Sequence, residues 1–204
     1  MSNFDIGLAG AIYVAGACLG ALVFGQLTDR YGRKKLFIIT LVLYTIATVL
    51  TAFSPNPTWY FVCRFFTGAG IGGEYAAINS AIDELIPARH RGHADLAVNG
   101  TYWLGAIIGA LAERVLLDPD VLPVDLGWRL GLLLGPAIGL LIWPLRSALP
   151  ESPRWLFLHG REEEAERIVA QIEEDVRSET GAELPPPGDP ITVRLLLAHL
   201  RTDQ

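Results

Sequence analysis

The chain has 204 residues, of which 51% are hydrophobic and 19% are charged. This charged fraction is below the roughly 25% of typical soluble domains. The formal net charge of −6 arises entirely in the tail, because residues 1–149 carry ten basic and ten acidic residues, whereas residues 150–204 carry six and twelve. We therefore predict no nucleic-acid partner. Both cysteines, Cys18 and Cys63, lie in apolar stretches, which makes a disulfide framework improbable.

Five apolar segments follow one another along the chain, each close to the 20 residues that cross a bilayer. They are residues 6–24, 36–53, 59–82, 94–112 and 130–145. The first segment has no preceding basic region and is followed by positive charges, so we interpret it as a membrane span rather than a signal peptide. The sequence thus predicts an all-α membrane protein with a transmembrane bundle over residues 1–149.

Basic residues in the connections predict the orientation. Eight fall on one side of the proposed bilayer: Arg30, Arg33, Lys34, Lys35, Arg89, Arg91, Arg146 and Arg154. Only Arg114 and Arg129 fall on the other side. Since Lys and Arg are retained in the cytoplasm, we predict a multi-pass plasma-membrane protein with its N-terminus outside and its C-terminus inside.

Small residues recur at four-residue spacing within the apolar segments. The sets are Gly16 and Gly20, Gly68 and Gly72, Gly105 and Gly109, and Gly131, Gly135 and Gly139. Such faces allow helix backbones to approach closely in lipid. We interpret them as helix-packing faces rather than substrate contacts.

The tail, residues 150–204, is predicted to be cytoplasmic. Residues 161–177 form an amphipathic pattern, with Ala165, Ile168 and Ile172 on one face and glutamates on the other. A proline-rich linker at 184–190 and a short helix at 192–200 are predicted to follow.

No catalytic motif is present, since the sequence contains no CxxC, HExxH or GxSxG. His90 and His93 lie close together but without the third protein ligand that a catalytic zinc site typically uses. We therefore predict a protein that is not an enzyme, with no cofactor and no metal site.

Several motifs resemble those of a known superfamily. The stretch Gly25-Gln26-Leu27-Thr28-Asp29-Arg30-Tyr31-Gly32-Arg33-Lys34 fits the pattern G-x-L-x-D-R-x-G-R-K/R between helices 2 and 3 of the major facilitator superfamily. Residues 83–92 and 150–156 (PESPRWL) resemble loops of its sugar-porter and metabolite-symporter branches. Residues 64–74 resemble helix 4 of the organic-acid and organic-ion symporter branches, and Gly127-Trp128-Arg129 resembles the start of helix 6.

The resemblance implies that the five segments correspond to helices 2–6 of a twelve-helix fold, so that the sequence represents a partial N-terminal half. It implies a secondary active carrier of a small organic metabolite, such as a sugar, an organic acid or an organic ion, coupled to protons. The implied partners are the lipid bilayer, the substrate, H+ and the missing transporter half or a sibling chain. The alternative is a truncated, non-transporting fragment or a regulatory interaction protein.

The resemblance also implies a cytoplasmic gate network. Its members are Asp29, Arg30, Arg33, Glu84, Arg91, Glu151 and Arg154. The alternative is that the basic members only determine topology. For Asp29 we expect partners among Arg33 and the arginines of the 89–91 loop.

Five residues within the apolar segments are candidates for substrate binding or proton coupling. Arg64 and Glu74 are charges that each cost roughly 2.5–3.5 kcal/mol at a helix centre. They lie about 15 Å apart along one helix, too far to pair directly, and Arg64 is close enough to the outer end to snorkel. Asn99 lies where the resemblance implies a sugar-binding glutamine, and Tyr102 and Trp103 follow it.

Overall fold

The structure is a computed structural model, and it describes residues 2–86, 88–148 and 150–180. These residues form seven helices and no strand. The helices are α1 Asn3–Tyr31, α2 Arg33–Ala52, α3 Pro57–Leu85, α4 Ala88–Leu116, α5 Val124–Ala148, α6 Pro153–Leu158 and α7 Glu162–Thr180. Each of the five predicted apolar segments falls on one of α1 to α5, with Phe53 just past the end of α2.

Within the described residues, three helices are long and apolar enough to cross a membrane. They are Asn3–Tyr31, Arg33–Ala52 and Asp125–Pro144. Helices α3 and α4 are each 29 residues long and carry charged side chains within their length, including Arg64, Glu74 and Asp95. By length and composition alone, α1, α2 and α5 are therefore the candidate membrane-spanning helices.

Two helix starts are determined by local side chains. The Ser2 hydroxyl accepts the Asp5 N–H and the Asp5 carboxylate accepts the Ser2 N–H, which forms a capping box at α1. The Asn56 side chain accepts the Trp59 N–H at 2.8 Å, with Pro57 in the first turn of α3.

Helices α1 and α3 pack backbone against backbone through their glycines. A Cβ on Gly20 would overlap the backbone of Ala69, and a Cβ on Gly72 would overlap that of Ala17. The predicted packing faces are confirmed for this pair. Around Gly105 and Gly109 of α4, by contrast, nothing lies within 4 Å of an added Cβ, so the described residues provide no partner for that face.

Helix α2 supplies much of the buried core. Leu36 and Leu41 are each only 2% exposed, and Thr40 and Thr51 of the same helix are also buried. Both threonine hydroxyls donate to carbonyl oxygens one turn earlier, at 2.8 and 2.7 Å. Because these hydroxyls are satisfied within the helix, burying them leaves no unpaired polar group.

The chain divides into two compact units, residues 1–165 and 166–204. The first contains α1 to α6 and the first residues of α7, up to the fully buried Ala165. The described part of the second unit is the remainder of α7, where Val169 and Val176 are exposed and Ile168 and Ile172 are half-buried. Helix α7, Glu162–Thr180, covers nearly all of the predicted range 161–177. The predicted linker at 184–190 and helix at 192–200 lie outside the described residues.

Candidate functional site

A tight turn at Gly32 joins α1 to α2. Gly32 has a φ of +92°, a region that favours glycine because a side chain would clash with the backbone. Its N–H donates to the Thr28 carbonyl oxygen at 3.1 Å and closes the last turn of α1. The turn directs the start of α2 towards residue 151.

The Glu151 carboxylate caps the start of α2. Its Oε1 accepts the backbone N–H groups of Arg33 at 2.7 Å and Lys34 at 3.1 Å. It also accepts the Ser152 N–H at 3.0 Å. A carboxylate is favourable here because the first N–H groups of a helix have no partner in the helix and carry partial positive charge. Glu151 therefore connects the segment before α6 to the turn at Gly32.

Arg33 links α2 to α3 beside this cap. Its side chain is only 4% exposed, and its Nη1 lies 3.4 Å from Glu84 Oε2. The same Glu84 oxygen accepts the Ser152 hydroxyl. We call Arg33, Glu84, Glu151 and Ser152 the charged cluster. Its hydrogen bonds join residues up to 118 positions apart in the chain.

Burial and the two carboxylates act on Arg33 in opposite directions. Arg33 precedes the apolar segment 36–53, and burial lowers the pKa of its guanidinium. The negative charges of Glu84 and Glu151 raise that pKa and oppose the effect of burial. Since arginine stays protonated in proteins, the charged cluster holds a permanent cation between two acidic side chains.

A cavity of about 250 Å³ adjoins the charged cluster. Its charged lining residues are Asp29, Arg33, Glu84 and Arg154, and its other lining residues include Thr28, Ser80 and Trp155. Two carboxylates and two guanidinium groups balance in formal charge. Asp29 and Arg154 are exposed at this cavity.

Two other predicted members of the network have partners outside the charged cluster. The exposed Arg30 lies over the Tyr31 ring, at 5.5 Å from its centroid. Arg91 donates from Nε to the Ile86 carbonyl oxygen at 2.9 Å and lines a different cavity, of about 430 Å³, with Asp83. The structure therefore brings three of the seven predicted residues into direct contact (Arg33, Glu84 and Glu151) and two more, Asp29 and Arg154, to the adjoining cavity.

The predicted substrate and coupling residues lie on α3 and α4. Arg64 and Glu74 are both half-buried on α3, and Arg64 donates from Nε to the Tyr60 hydroxyl at 3.2 Å. On α4, the Asn99 amide donates to the carbonyl oxygen and the carboxylate of Asp95, at 3.0 and 2.9 Å.

The two aromatic candidates on α4 are exposed. Tyr102 is 59% exposed and Trp103 is 69% exposed. Their rings meet edge to face at 5.5 Å. The described residues thus leave most of both rings uncovered.

Sequence reasoning missed Ser152 and the aromatic lining around Arg64. Ser152 bonds Glu84 and also accepts the Trp155 N–H at 3.1 Å, which caps α6. The signal was available, because serine directly before a proline is a common helix start. Tyr13 and Tyr60, which line a cavity with Arg64, carried no such signal.

Long apolar helices packed through glycines, with a charged cluster where their ends meet, are typical of membrane proteins with several spans. The profile of the family "Sugar (and other) transporter" matches residues 2–184. The chain belongs to this family.

Two curated relatives support this assignment. The niacin transporter of Acinetobacter baylyi is 36% identical over 158 residues, which is 78% of this chain and 35% of that protein. A putative metabolite transport protein of Escherichia coli is 36% identical over 181 residues, or 86% of this chain and 38% of that protein. The chain thus spans little more than a third of the length of these relatives, which are transporters rather than enzymes.

A solved structure shows the same fold. The proton:xylose symporter bound to 6-bromo-6-deoxy-D-glucose aligns with a TM-score of 0.75 at 22% identity. The alignment covers 87% of this chain and 45% of the symporter. The predicted resemblance to sugar and metabolite transporters is confirmed, the family by the profile match and the fold by this alignment.

Proposed function

We propose that the chain forms the membrane part of a proton-coupled carrier of a small organic metabolite. In this proposal α1 to α5 all cross the plasma membrane, as helices 2–6 of a twelve-helix transporter. The N-terminus is outside, residues 1–149 form the bundle, and residues 150–204 are cytoplasmic. The observation that carries the proposal is the 36% identity to a niacin transporter over 78% of the chain.

In this carrier the charged cluster would form part of the cytoplasmic gate. Glu151 and Ser152 hold the segment before α6 against the start of α2 and the end of α3. A carrier of this fold alternates access by rocking its two halves. Bonds that hold helix ends together at one face are expected to favour the state closed at that face.

Glu74 is our candidate for proton coupling. It is a half-buried carboxyl group within α3, and its formal charge can be removed by a single proton. Asn99, Tyr102 and Trp103 on α4 are proposed to face the substrate path.

A second candidate function is supported by the glycine face of α4. Around Gly105 and Gly109 nothing lies within 4 Å of an added Cβ, so the described residues leave this face open. A non-transporting protein that binds a sibling chain would use this face.

Transport by a chimera distinguishes the two candidates. Residues 3–158 would replace the matching segment of the Acinetobacter niacin transporter, and uptake of labelled niacin, xylose and a panel of organic acids would be measured in cells. We expect saturable uptake of at least one solute, abolished by a protonophore. The same chimera with Glu74→Gln is expected to lose its dependence on the proton gradient.

The control is the present chain alone, which we expect to give no saturable uptake, because alternating access needs two halves. A chimera that is inserted and monodisperse yet carries no solute would contradict the carrier proposal. That result would favour the non-transporting candidate.

A further inference from the structure

The end of α2 opposite the charged cluster is held by side chains from two other helices. Trp59, in the first turn of α3, donates from Nε1 to the Leu50 carbonyl oxygen at 3.2 Å. Arg129, in the second turn of α5, donates from Nη1 to the Ala52 carbonyl oxygen. We call these two side chains and the two carbonyl groups that they bind the distal joint. The distal joint connects α2, α3 and α5.

These two bonds complete the C-terminal end of α2. The last four carbonyl groups of a helix have no partner within the helix and carry partial negative charge. In α2, the carbonyl oxygens of Val49 and Thr51 accept backbone N–H groups from the two residues that follow the helix, at 3.3 and 3.1 Å. Those of Leu50 and Ala52 are bound by the distal joint. Since Ala52 is fully buried and an unpaired buried carbonyl group is costly, the bond from α5 stabilises this helix end.

Arg129 is positioned by its own helix before it reaches α2. Its Nε donates to the Asp125 carbonyl oxygen one turn earlier, at 3.1 Å. Its guanidinium carbon lies 4.6 Å from the centroid of the Trp128 ring, a cation–π contact. The start of α5 is in turn packed closely on the end of α4, because a Cβ on Gly127 would overlap the Leu116 carbonyl oxygen. The distal joint is therefore built on a start of α5 that is itself held in place.

The other end of α2 is held by groups of a different kind. There the Glu151 carboxylate, which follows α5, accepts the backbone N–H groups of Arg33 and Lys34. A carboxylate loses its charge when it binds a proton. The backbone carbonyl oxygens of the distal joint do not titrate, and Arg129 stays protonated. Of the two attachments between α2 and the α5 region, the distal joint is thus the more permanent one.

Helix α5 contains two places to bend between these attachments. Pro136 and Pro144 both lie inside the helix. A proline there removes a backbone hydrogen bond and is a usual cause of a helix kink. Gly139, between the two prolines, packs on α2 without a side chain, since a Cβ added there would lie 3.0 Å from the Tyr44 hydroxyl oxygen. The part of α5 nearer the charged cluster is therefore free to bend while the distal joint stays closed.

We infer that the distal joint is a fixed pivot with Arg129 as its positioning residue, and that α2 and α5 separate from the charged-cluster end while the distal joint remains closed. A hydrogen bond from a charged group contributes more to stability than one between neutral groups. Arg129 is therefore expected to hold the pivot more strongly than Trp59. The inference concerns a motion within this chain, so its test does not depend on whether the chain carries a solute.

Amide hydrogen exchange of the full chain in lipid nanodiscs, measured by mass spectrometry, tests the inference at both ends of α2. Arg129→Gln is expected to speed exchange about tenfold in residues 49–54, because the helix end loses its charged partner. Exchange in residues 33–38 should stay within about twofold, since local opening is confined to the loosened segment. Glu151→Ala is expected to do the reverse, because it removes the acceptor at the other end.

Trp59→Phe provides a milder variant, which keeps the ring and removes only the N–H donor. It is expected to speed exchange in residues 49–54 roughly threefold, as for the loss of a neutral hydrogen bond. If Arg129→Gln does not yield a folded chain, this variant carries the same test. The matched control is Arg114→Gln, an exposed arginine on α4, which should leave exchange unchanged at both ends of α2.

Two results would overturn the inference. The first is unchanged exchange in residues 49–54 of a folded Arg129→Gln chain, or of Trp59→Phe where that variant replaces it. The second is an equal rise at both ends of α2 in the distal-joint variant or in Glu151→Ala, because α2 would then loosen as one unit and not about a pivot. A rise confined to the end that each substitution affects would support the inference.

Discussion

Replacing Gly20 with leucine is expected to prevent α1 and α3 from packing. A side chain at this position would occupy the space of the Ala69 backbone, which cannot rotate away as a side chain could. Overpacking a well-filled core typically costs about 1–3 kcal/mol. Because the obstacle here is main chain, we expect a loss of at least about 3 kcal/mol in the free energy of unfolding. Denaturation in mixed micelles, followed by circular dichroism, measures this loss.

Gly105→Leu is the matched control for this substitution. It places the same side chain at Gly105, which also belongs to a pair of glycines four residues apart. Nothing lies within 4 Å of a Cβ added there. We expect a change within about 0.5 kcal/mol, as for surface positions generally. Equal effects of the two substitutions would contradict the close packing of α1 and α3.

Glu84→Gln is expected to produce the second large loss of stability. The substitution keeps the shape of the side chain but removes the charge opposite Arg33, whose side chain is 4% exposed. Breaking a buried ion pair costs about 3–5 kcal/mol. We expect about 3 kcal/mol, the lower end of that range, because Glu84 is 21% exposed. The same denaturation assay measures the effect.

Glu164→Gln provides the comparison on a pair that faces solvent. Glu164 bonds Arg161 at 2.6 Å, and both side chains are more than 40% exposed. Exposed pairs contribute roughly 0.2–1 kcal/mol, so the loss should be several times smaller than at Glu84. A further control is Arg33→Met in the Glu84→Gln background, which should recover part of the lost stability because no unpaired buried cation remains. Equal losses at Glu84 and Glu164 would argue against a buried charged cluster.

The long helices were predictable from local pattern. The signals are apolar segments of bilayer length, the capping residue Asn56 and the glycine at position 32. Each of them acts on residues only a few positions away. The packing faces at Gly16 and Gly20 and at Gly68 and Gly72 also followed from spacing, since small residues four apart share one helix face. Spacing did not predict that these two faces meet each other.

The charged cluster depended on contacts that no local pattern contains. Glu151 was predicted as a network member, but its role as the cap of α2 joins residues 118 positions apart. Of the partners expected for Asp29, Arg33 contacts Glu84 and Arg91 contacts the Ile86 carbonyl oxygen. The side chain of Arg89 lies outside the described residues. The short helix α6 was not predicted, since six residues are too few to show a period.

Accessibility of a cysteine at position 90 tests the central claim, that α1 to α5 all cross the membrane. His90 is exposed, between the proposed spans on α3 and α4. His90→Cys would be introduced with Cys18 and Cys63 replaced by alanine, and treated with a membrane-impermeant maleimide. Pro55→Cys, an exposed position in the preceding turn, serves as the outside control.

In intact cells we expect labelling at position 55 and none at position 90, with position 90 labelled only in inverted vesicles. If only the three most apolar helices crossed the membrane, positions 55 and 90 would lie on the same side. Labelling of both positions in intact cells would therefore contradict the five-span arrangement.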